Sequence, residues 1–223
     1  MRSLNLQFAQ KTFSTTPEPK VLFNSHSPSV FEFVLNKQKA LNAVDTDMCN
    51  LIGGKLQEWH KDPAAAPRVM MMSGAGGKAF CAGGDIVTLY HGHKEGVPNH
   101  KLLEFFATEY LVDYSLSQLK DIEQISVWNG FCMGGGVGLT WHSPIRIATD
   151  NSLYAMPETA IGFFTDVGGS YFLPRIKNGD FSLGLYLGLT GARVKSRDLV
   201  KFGLATHFVP QEEMEHLYEM ISK

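Results

Sequence analysis

Two glycine-rich segments are the parts of this sequence best suited to hold a reacting group. The first is Ala82-Gly83-Gly84-Asp85 and the second is Gly134-Gly135-Gly136-Val137-Gly138, and each follows a predicted strand. Glycine lets a backbone N–H approach a ligand where a Cβ atom would block it, so N–H groups from two loops can bind the oxyanion of an enolate or a tetrahedral intermediate. Two tight turns would have the same composition, and the segments alone leave that alternative open.

Two acids could work beside such loops, namely Glu158 and Asp166. Glu158 lies among apolar residues, where desolvation raises the pKa of a carboxyl group and suits it to acid, base or nucleophilic work. Asp166 comes just before Gly168-Gly169 and could instead cap a helix that begins there, while Glu158 could be a solvated loop acid. Their spacing does not decide between these interpretations.

The elements that must position these residues follow a strand-strand-helix rhythm, which predicts an α/β fold. Helical spacing of apolar residues behind Asp45-Thr46-Asp47 predicts a helix capped at its N-terminus, and Ser196 is the predicted N-cap of a later helix. Predicted strands span residues 21–26, 30–36, 69–72, 125–128, 145–148 and 153–155. Further predicted helices span residues 102–119, 134–141, 181–189, 196–202 and 212–221.

Composition limits the classes of protein that the chain can belong to. The 223 residues are enough for one sizeable domain, and 44% hydrophobic residues argue against a disordered or fibrous chain. Twenty Lys and Arg against 22 Asp and Glu give a net charge of −2, so we expect no nucleic-acid partner. No window reaches the roughly 18 apolar residues of a membrane-spanning helix, so no membrane partner is expected. The three cysteines lack the spacing of metal ligands, which predicts reduced thiols. The eight histidines lack that spacing too, so we expect no metal site.

Residues 1–19 are predicted to be a leader, and residues 20–223 the folded domain. The first sixteen residues contain Arg2 and Lys11 but no acid, and several are Ser or Thr. This composition is typical of a mitochondrial transit peptide, so we expect the protein in the mitochondrial matrix. An ordinary disordered leader would also fit these residues.

A glycine-rich match to a dinucleotide fingerprint does not predict a cofactor. Residues 74–79 formally fit the pattern G-x-G-x-x-A. That site needs its third position to open a helix, with an acid about twenty residues later at the end of the next strand, whereas this segment continues as a glycine loop. We therefore expect no nicotinamide cofactor.

Three ordered stretches resemble the signatures of the crotonase (enoyl-CoA hydratase/isomerase) superfamily: residues 35–43, 78–86 and 129–139. Within it, residues 156–175 are similar to those of hydrolases that cleave an acyl-CoA thioester, and residues 189–191 and 203–208 fit the same group. The resemblance covers roughly residues 21–209. It implies a spiral of strand-strand-helix units that binds an acyl-CoA, with CoA as part of the substrate and no separate cofactor.

The resemblance also implies a role for individual residues. The backbone N–H groups of Gly84 and Gly135 would form the oxyanion hole. Glu158 would be the catalytic glutamate with Asp166 beside it, and Glu109 would contact the substrate, although a solvated helix acid is the alternative for Glu109. The loops that wrap CoA in similar proteins match Lys39, Ala40, Leu41, Ala82, Asp85 and Ile86.

The implied reaction is hydrolysis of 3-hydroxyisobutyryl-CoA to 3-hydroxyisobutyrate and CoA, in valine breakdown. Hydration of an enoyl-CoA uses two glutamates around one water, and the first would fall at Gly138, which favours a hydrolase. An enoyl-CoA hydratase or isomerase, or a truncated chain that binds without catalysis, are the alternatives.

The resemblance also implies helices beyond Lys223, so we expect the C-terminal helical part to be truncated, and it allows a homo-oligomer. Thr165 stands where these hydrolases usually have proline, which predicts a looser loop before Asp166.

Overall fold

A computed structural model describes residues 18–221 of the chain. Of the predicted leader, residues 1–17 lie outside the described residues. The strands are β1 (Val21–Ser27), β2 (Val30–Leu35), β3 (Val69–Gly74), β4 (Ala79–Cys81), β5 (Glu123–Trp128), β6 (Phe131–Met133), β7 (Ile145–Ala148), β8 (Leu153–Ala155), β9 (Val194–Lys195) and β10 (His207–Phe208). The helices are α1 (Thr46–Lys61), α2 (Ile86–Lys94), α3 (Asn99–Ser117), α4 (Gly135–Thr140), α5 (Gly169–Phe172), α6 (Phe181–Thr190), α7 (Asp198–Lys201) and α8 (Met214–Ile221).

The strands form two sheets that the chain visits in turn. The larger sheet has the order β1-β2-β3-β5-β7-β10, and the smaller has the order β4-β6-β8-β9. The first two strands pair as the predicted antiparallel hairpin, whereas β2, β3, β5, β7 and β10 are parallel to one another. The chain therefore passes from a strand of the larger sheet to one of the smaller sheet before a helix, as in β5-β6-α4. The predicted α/β spiral of strand-strand-helix units is confirmed.

Side chains from both sheets and from the helices share a hydrophobic core. Phe33, Met48, Phe80, Trp128 and Tyr154 are fully buried in it. Helix α1 begins where predicted, because the Asp45 carboxylate accepts a hydrogen bond from the Met48 N–H at 3.0 Å. Helix α3 packs along α1 and also contacts α4, which follows the second glycine-rich segment.

The short strands β4, β6, β9 and β10 lie outside the predicted strand spans, and two helices also differ from the predictions. Helix α2 was not expected, and none of its residues is fully buried. Helix α7 is shorter than predicted, and the Ser196 N-cap is wrong: Ser196 has a left-handed φ of 49° and its N–H bonds to the Ser152 carbonyl, extending the pairing of β8 with β9. No helix among residues 18–221 is long and apolar enough to cross a membrane. Cys49, Cys81 and Cys132 form no disulfide, in agreement with the predicted reduced thiols, and all three are buried.

Candidate active site

A cavity of about 350 Å³ opens where β4 and β6 end and the glycine-rich loops begin. It brings together three acids that are far apart in the sequence, Glu109, Glu158 and Asp166, with the two glycine segments. Phe106 and Phe163 form part of its wall, with ring centroids 5.6 Å apart. The other lining residues are Ala82, Gly83, Gly84, Ile86, Gly134, Gly135, Pro157, Ala160, Ile161 and Gly162.

The backbone around Gly84 is fixed by pairing with Val44. The Val44 N–H donates to the Gly83 carbonyl at 2.8 Å, and the Asp85 N–H donates to the Val44 carbonyl at 2.7 Å. These hydrogen bonds hold the residues on either side of Gly84. The N–H of Gly84 itself makes no hydrogen bond with any residue in the range 18–221. That N–H is therefore available to a ligand.

Gly135 supplies a second backbone amide beside the first. It is the first residue of α4, so its N–H has no acceptor within the helix. A Cβ atom at Gly135 would lie 3.3 Å from the Gly84 nitrogen and would collide with Glu109 Oε1. The loop thus needs glycine here, and the two amides meet at one side of the cavity, the arrangement expected of an oxyanion hole.

Glu158 lies across from Gly134 at the start of a short 3-10 turn, Glu158–Ile161. Only 8% of the residue is exposed, and its Oε2 has no hydrogen-bond partner within the described part of the chain. Burial, with a contribution from the negative charge of Asp166, raises the pKa of Glu158 to about 7. A Cβ atom at Gly134, which has φ +46°, would lie 2.6 Å from Glu158 Oε1. A solvated loop acid is therefore the wrong interpretation of Glu158.

Glu109 projects from α3 toward both glycine segments. It is 2% exposed, and its Oε1 has no hydrogen-bond partner among residues 18–221. Burial raises the pKa of Glu109 to about 8, and the charges of Asp166 and Glu158 act in the same direction. The solvated helix acid is thus excluded for this residue too.

Asp166 is held from α3 rather than used as a helix cap. Its Oδ2 accepts a hydrogen bond from the Tyr110 hydroxyl at 2.6 Å, whereas α5 has Gly168 as its N-cap residue and no side-chain cap. Burial raises the pKa of Asp166, and the hydrogen bond from Tyr110 opposes that rise. Neither the spacing nor the composition of the sequence pointed to Tyr110, because it contacts Asp166 only in the folded chain.

The loop before Asp166 is anchored by the residue that was expected to loosen it. Thr165 donates its hydroxyl hydrogen bond to the Gly188 carbonyl of α6 at 2.9 Å. The next residue but one, Val167, has a left-handed φ of 42°, which a β-branched residue adopts only when its surroundings force it. The hydrogen bond of Thr165 thus ties the loop to α6 at the position where a looser loop was predicted.

Position 138 has no room for a side chain. A Cβ atom at Gly138 would lie 2.6 Å from Asp113 Oδ2 and 2.6 Å from Val167 Cβ. Asp113 itself is buried, neither of its carboxylate oxygens has a hydrogen-bond partner in the described chain, and burial raises its pKa well above the usual range. The sequence analysis missed Asp113, although its spacing of one helical turn from Glu109 was a signal that could have found it.

The predicted CoA-contacting residues are divided between two places. Ala82 and Ile86 line the main cavity, whereas Lys39 and Leu41 line a smaller neighbouring cavity of about 220 Å³. Lys39 and Ala40 belong to the short 3-10 helix Gln38–Ala40. The Ala82 N–H donates to the Leu41 carbonyl at 3.0 Å, so the two loops adjoin.

The carboxylate of Asp85 is already engaged by the protein. It caps α2 through the Thr88 N–H at 3.0 Å and accepts from Lys37 Nζ at 2.5 Å. Its contribution to a ligand is therefore limited to its backbone. No group of three or more metal-ligating side chains occurs within residues 18–221.

Proteins with this fold form a known family, and comparison of sequences and structures identifies it. The model of the enoyl-CoA hydratase/isomerase family matches residues 30–223, and the chain belongs to that family. Among solved structures, a carnitinyl-CoA dehydratase from Mycobacterium thermoresistibile superposes with a TM-score of 0.80 at 33% identity, over 91% of this chain and 57% of that one. An enoyl-CoA hydratase from Rhodobacter sphaeroides gives the same TM-score and identity over 92% and 58%.

Curated relatives narrow the class further. The 3-hydroxyisobutyryl-CoA hydrolase of Dictyostelium discoideum, named as mitochondrial, is 42% identical over 96% of this chain and 55% of its own length. The enzymes of that name from Xenopus tropicalis and Homo sapiens are 46% and 44% identical over 82% and 83% of this chain, and 46% of their own length. The resemblance to these hydrolases is thus confirmed, and the chain spans about half the length of the curated relatives it matches.

Proposed function

We propose that the protein hydrolyses the thioester of 3-hydroxyisobutyryl-CoA, releasing 3-hydroxyisobutyrate and CoA in valine catabolism. The observation that carries this proposal is the position of Glu158, buried in one cavity with the amides of Gly84 and Gly135 while position 138 is closed to a second glutamate. The relatives named 3-hydroxyisobutyryl-CoA hydrolase support the choice of substrate. CoA is part of the substrate, and we propose no further cofactor.

In this mechanism the thioester carbonyl oxygen accepts hydrogen bonds from the Gly84 and Gly135 amides. Negative charge develops on that oxygen when the carbonyl carbon is attacked, and loss of one such donor typically removes about 2.7 to 4 kcal/mol of transition-state stabilisation. Ionised Glu158 either attacks the carbonyl carbon itself or takes a proton from the attacking water. If Glu158 attacks, the C–S bond breaks to give an anhydride between the acyl group and Glu158, and water then cleaves this anhydride and restores the Glu158 carboxylate. If Glu158 acts as the base, water attacks directly and the C–S bond breaks in the same half of the reaction. In both routes CoA leaves as the thiol after gaining a proton.

The two remaining acids would act on the acyl group. Asp166 accepts a hydrogen bond from the substrate's 3-hydroxyl or relays a proton, and Glu109 contacts the substrate beside the glycine amides. Because burial raises the pKa of Glu109 to about 8, this residue is protonated at neutral pH and can donate a hydrogen bond. The site then holds fewer negative charges than its number of acids suggests.

An enoyl-CoA hydratase or isomerase is the second candidate. The observation in its favour is that Glu109 and Glu158 line one cavity and could share a water between them. Conversion of crotonyl-CoA without release of CoA would favour this candidate, whereas thiol release from 3-hydroxyisobutyryl-CoA would favour hydrolysis.

The test is thiol release from 3-hydroxyisobutyryl-CoA by the purified protein, with Glu158→Gln as the catalytic variant. Glu104→Gln is the matched control, because Glu104 is an exposed acid on α3. We expect release by the unaltered protein and the control, and its loss in Glu158→Gln with an unchanged circular dichroism spectrum. No release by a folded protein would exclude hydrolysis by this chain, and CoA binding without turnover would then favour the non-catalytic alternative.

We also propose that the protein acts in the mitochondrial matrix. The relatives named mitochondrial support a mitochondrial location, and the choice of the matrix is our own extension of it. A fluorescent fusion of the whole chain should enter mitochondria, and deletion of residues 1–19 should prevent entry. A homo-oligomer is proposed on the family resemblance alone, and sedimentation of the purified protein tests it.

A further inference from the structure

Tyr110 lies outside the main cavity and contacts Asp166, in the loop before α5. Its hydroxyl donates to Asp166 Oδ2 at 2.6 Å and so joins α3 to the loop before α5. Tyr110 lines a second cavity of about 420 Å³, which also contains Asp113, Tyr114 and His142. Asp166 lines both cavities, whereas Tyr110 lines the second and not the first, so Tyr110 approaches Asp166 from the side of the second cavity.

The other constraints on this loop act on its backbone. Thr165 ties the loop to α6, and the buried side chain of Val167 packs at Gly138 in spite of its left-handed backbone. Neither contact fixes the rotation of the Asp166 carboxylate about its own side-chain bonds. Within residues 18–221, the Tyr110 hydroxyl is the side-chain donor that fixes it.

The hydrogen bond also decides what Asp166 can offer to a ligand. Burial and the Asp166 carboxylate raise the pKa of Tyr110, so its hydroxyl remains a donor and occupies Oδ2 across the physiological range. A substrate hydroxyl must then donate its hydrogen bond to a lone pair of the Asp166 carboxylate that Tyr110 does not already occupy. An acyl group without a hydroxyl would bury this carboxylate without a second partner, which a site built for hydrogen bonding penalises strongly.

We propose that Tyr110 is a positioning residue for specificity: it orients Asp166 so that the site selects acyl-CoA thioesters that carry a hydroxyl at the 3-position over those that lack it. This inference rests on the proposed function and goes beyond it, since it assigns the selectivity to a residue outside the cavity that holds the reacting groups.

The test compares kcat/KM for 3-hydroxyisobutyryl-CoA and isobutyryl-CoA in the unaltered protein, Tyr110→Phe and Tyr114→Phe. Tyr114 is the matched control, because it lies one helical turn further on, lines the same second cavity and makes no hydrogen bond to Asp166. We expect Tyr110→Phe to lower kcat/KM for 3-hydroxyisobutyryl-CoA relative to kcat/KM for isobutyryl-CoA by about tenfold or more, because the hydroxylated substrate alone is affected. This is the loss typical of one hydrogen bond to a charged group. Tyr114→Phe should leave the ratio unchanged.

An equal loss on both substrates would show that Tyr110 supports only the structure, and would overturn the proposal. Binding of hydrolysis-resistant thioether analogues of the two substrates separates this inference from the proposed reaction. If the unaltered protein releases no thiol but binds the hydroxylated analogue more tightly, and Tyr110→Phe loses that preference, hydrolysis fails and the role of Tyr110 stands. Absence of any preference in the unaltered protein would overturn the role of Tyr110.

Discussion

Burial of the Glu158 carboxyl group, with a smaller contribution from the charge of Asp166, decides the pH at which it can act. Burial raises its pKa to about 7, and the charge of Asp166 contributes to the rise. If the reaction needs ionised Glu158, kcat/KM increases as the pH rises through about 7. The Asp166→Asn variant lacks the neighbouring charge, so the remaining activity should show its rise at lower pH. A pH profile of kcat/KM measures both, and a profile that does not move in the variant would contradict the coupling.

At Gly138 the space that a side chain would need is already occupied. Because Asp113 and Val167 lie 2.6 Å from where a Cβ atom would be, Gly138→Ala should destabilise the protein by about 1 to 3 kcal/mol. Gly54→Ala is the control, since Gly54 is exposed in the middle of α1 with no atom near that position. Alanine there should stabilise the helix by about 0.5 to 1 kcal/mol. Urea unfolding compares the two, and equal effects would contradict the crowding at position 138.

At the scale of elements, one lysine joins the beginnings of two helices next to the oxyanion loop. Lys37 Nζ lies 2.7 Å from the Asp45 carboxylate, which caps α1, and 2.5 Å from the Asp85 carboxylate, which caps α2. Since Asp85 directly follows Gly84, this link fixes the amide that would stabilise the transition state. Lys37→Met should therefore lower kcat about tenfold with little change in KM.

Lys20→Met is the control for that variant. Lys20 pairs with Asp45 and Asp47 but not with Asp85, so its loss should leave kcat nearly unchanged. Steady-state kinetics on both variants measures the difference. Equal kcat values for Lys37→Met and the unaltered protein would show that the Val44 pairing alone holds the loop.

Local signals in the sequence account for most of the elements, and contacts over long sequence separations account for what was missed. The cap at Asp45 and the hairpin of β1 and β2 were predicted because their partners are close in sequence. Helix α2 escaped because it has no fully buried residue and Leu89 alone among its large apolar side chains packs, partly buried, against the core. The glycine clusters indicated the cavity, but Tyr110 meets Asp166 across 56 residues, which no spacing argument could supply.

Across the whole molecule, the buried acids near α3 make the free energy of unfolding depend on pH. Burial, reinforced by the charges of Glu109 and Asp166, raises the pKa of Asp113 well above 3.8, its value in an unfolded chain. Below that pH both states hold the proton. As the pH rises, the unfolded state releases it first, so the protein loses stability until Asp113 ionises in the folded state as well.

Asp113→Asn keeps the shape of the side chain and removes this proton. Urea unfolding at several pH values between about 5 and 8 measures the free energy of unfolding of both proteins. As the pH rises, the variant should become more stable relative to the unaltered protein, by at most about 1.4 kcal/mol per pH unit. Both proteins should still lose some stability over that range, because burial also raises the pKa of Glu109, to about 8. Parallel curves would mean that Asp113 ionises normally in the folded protein, which would require water or a cation to reach its carboxylate.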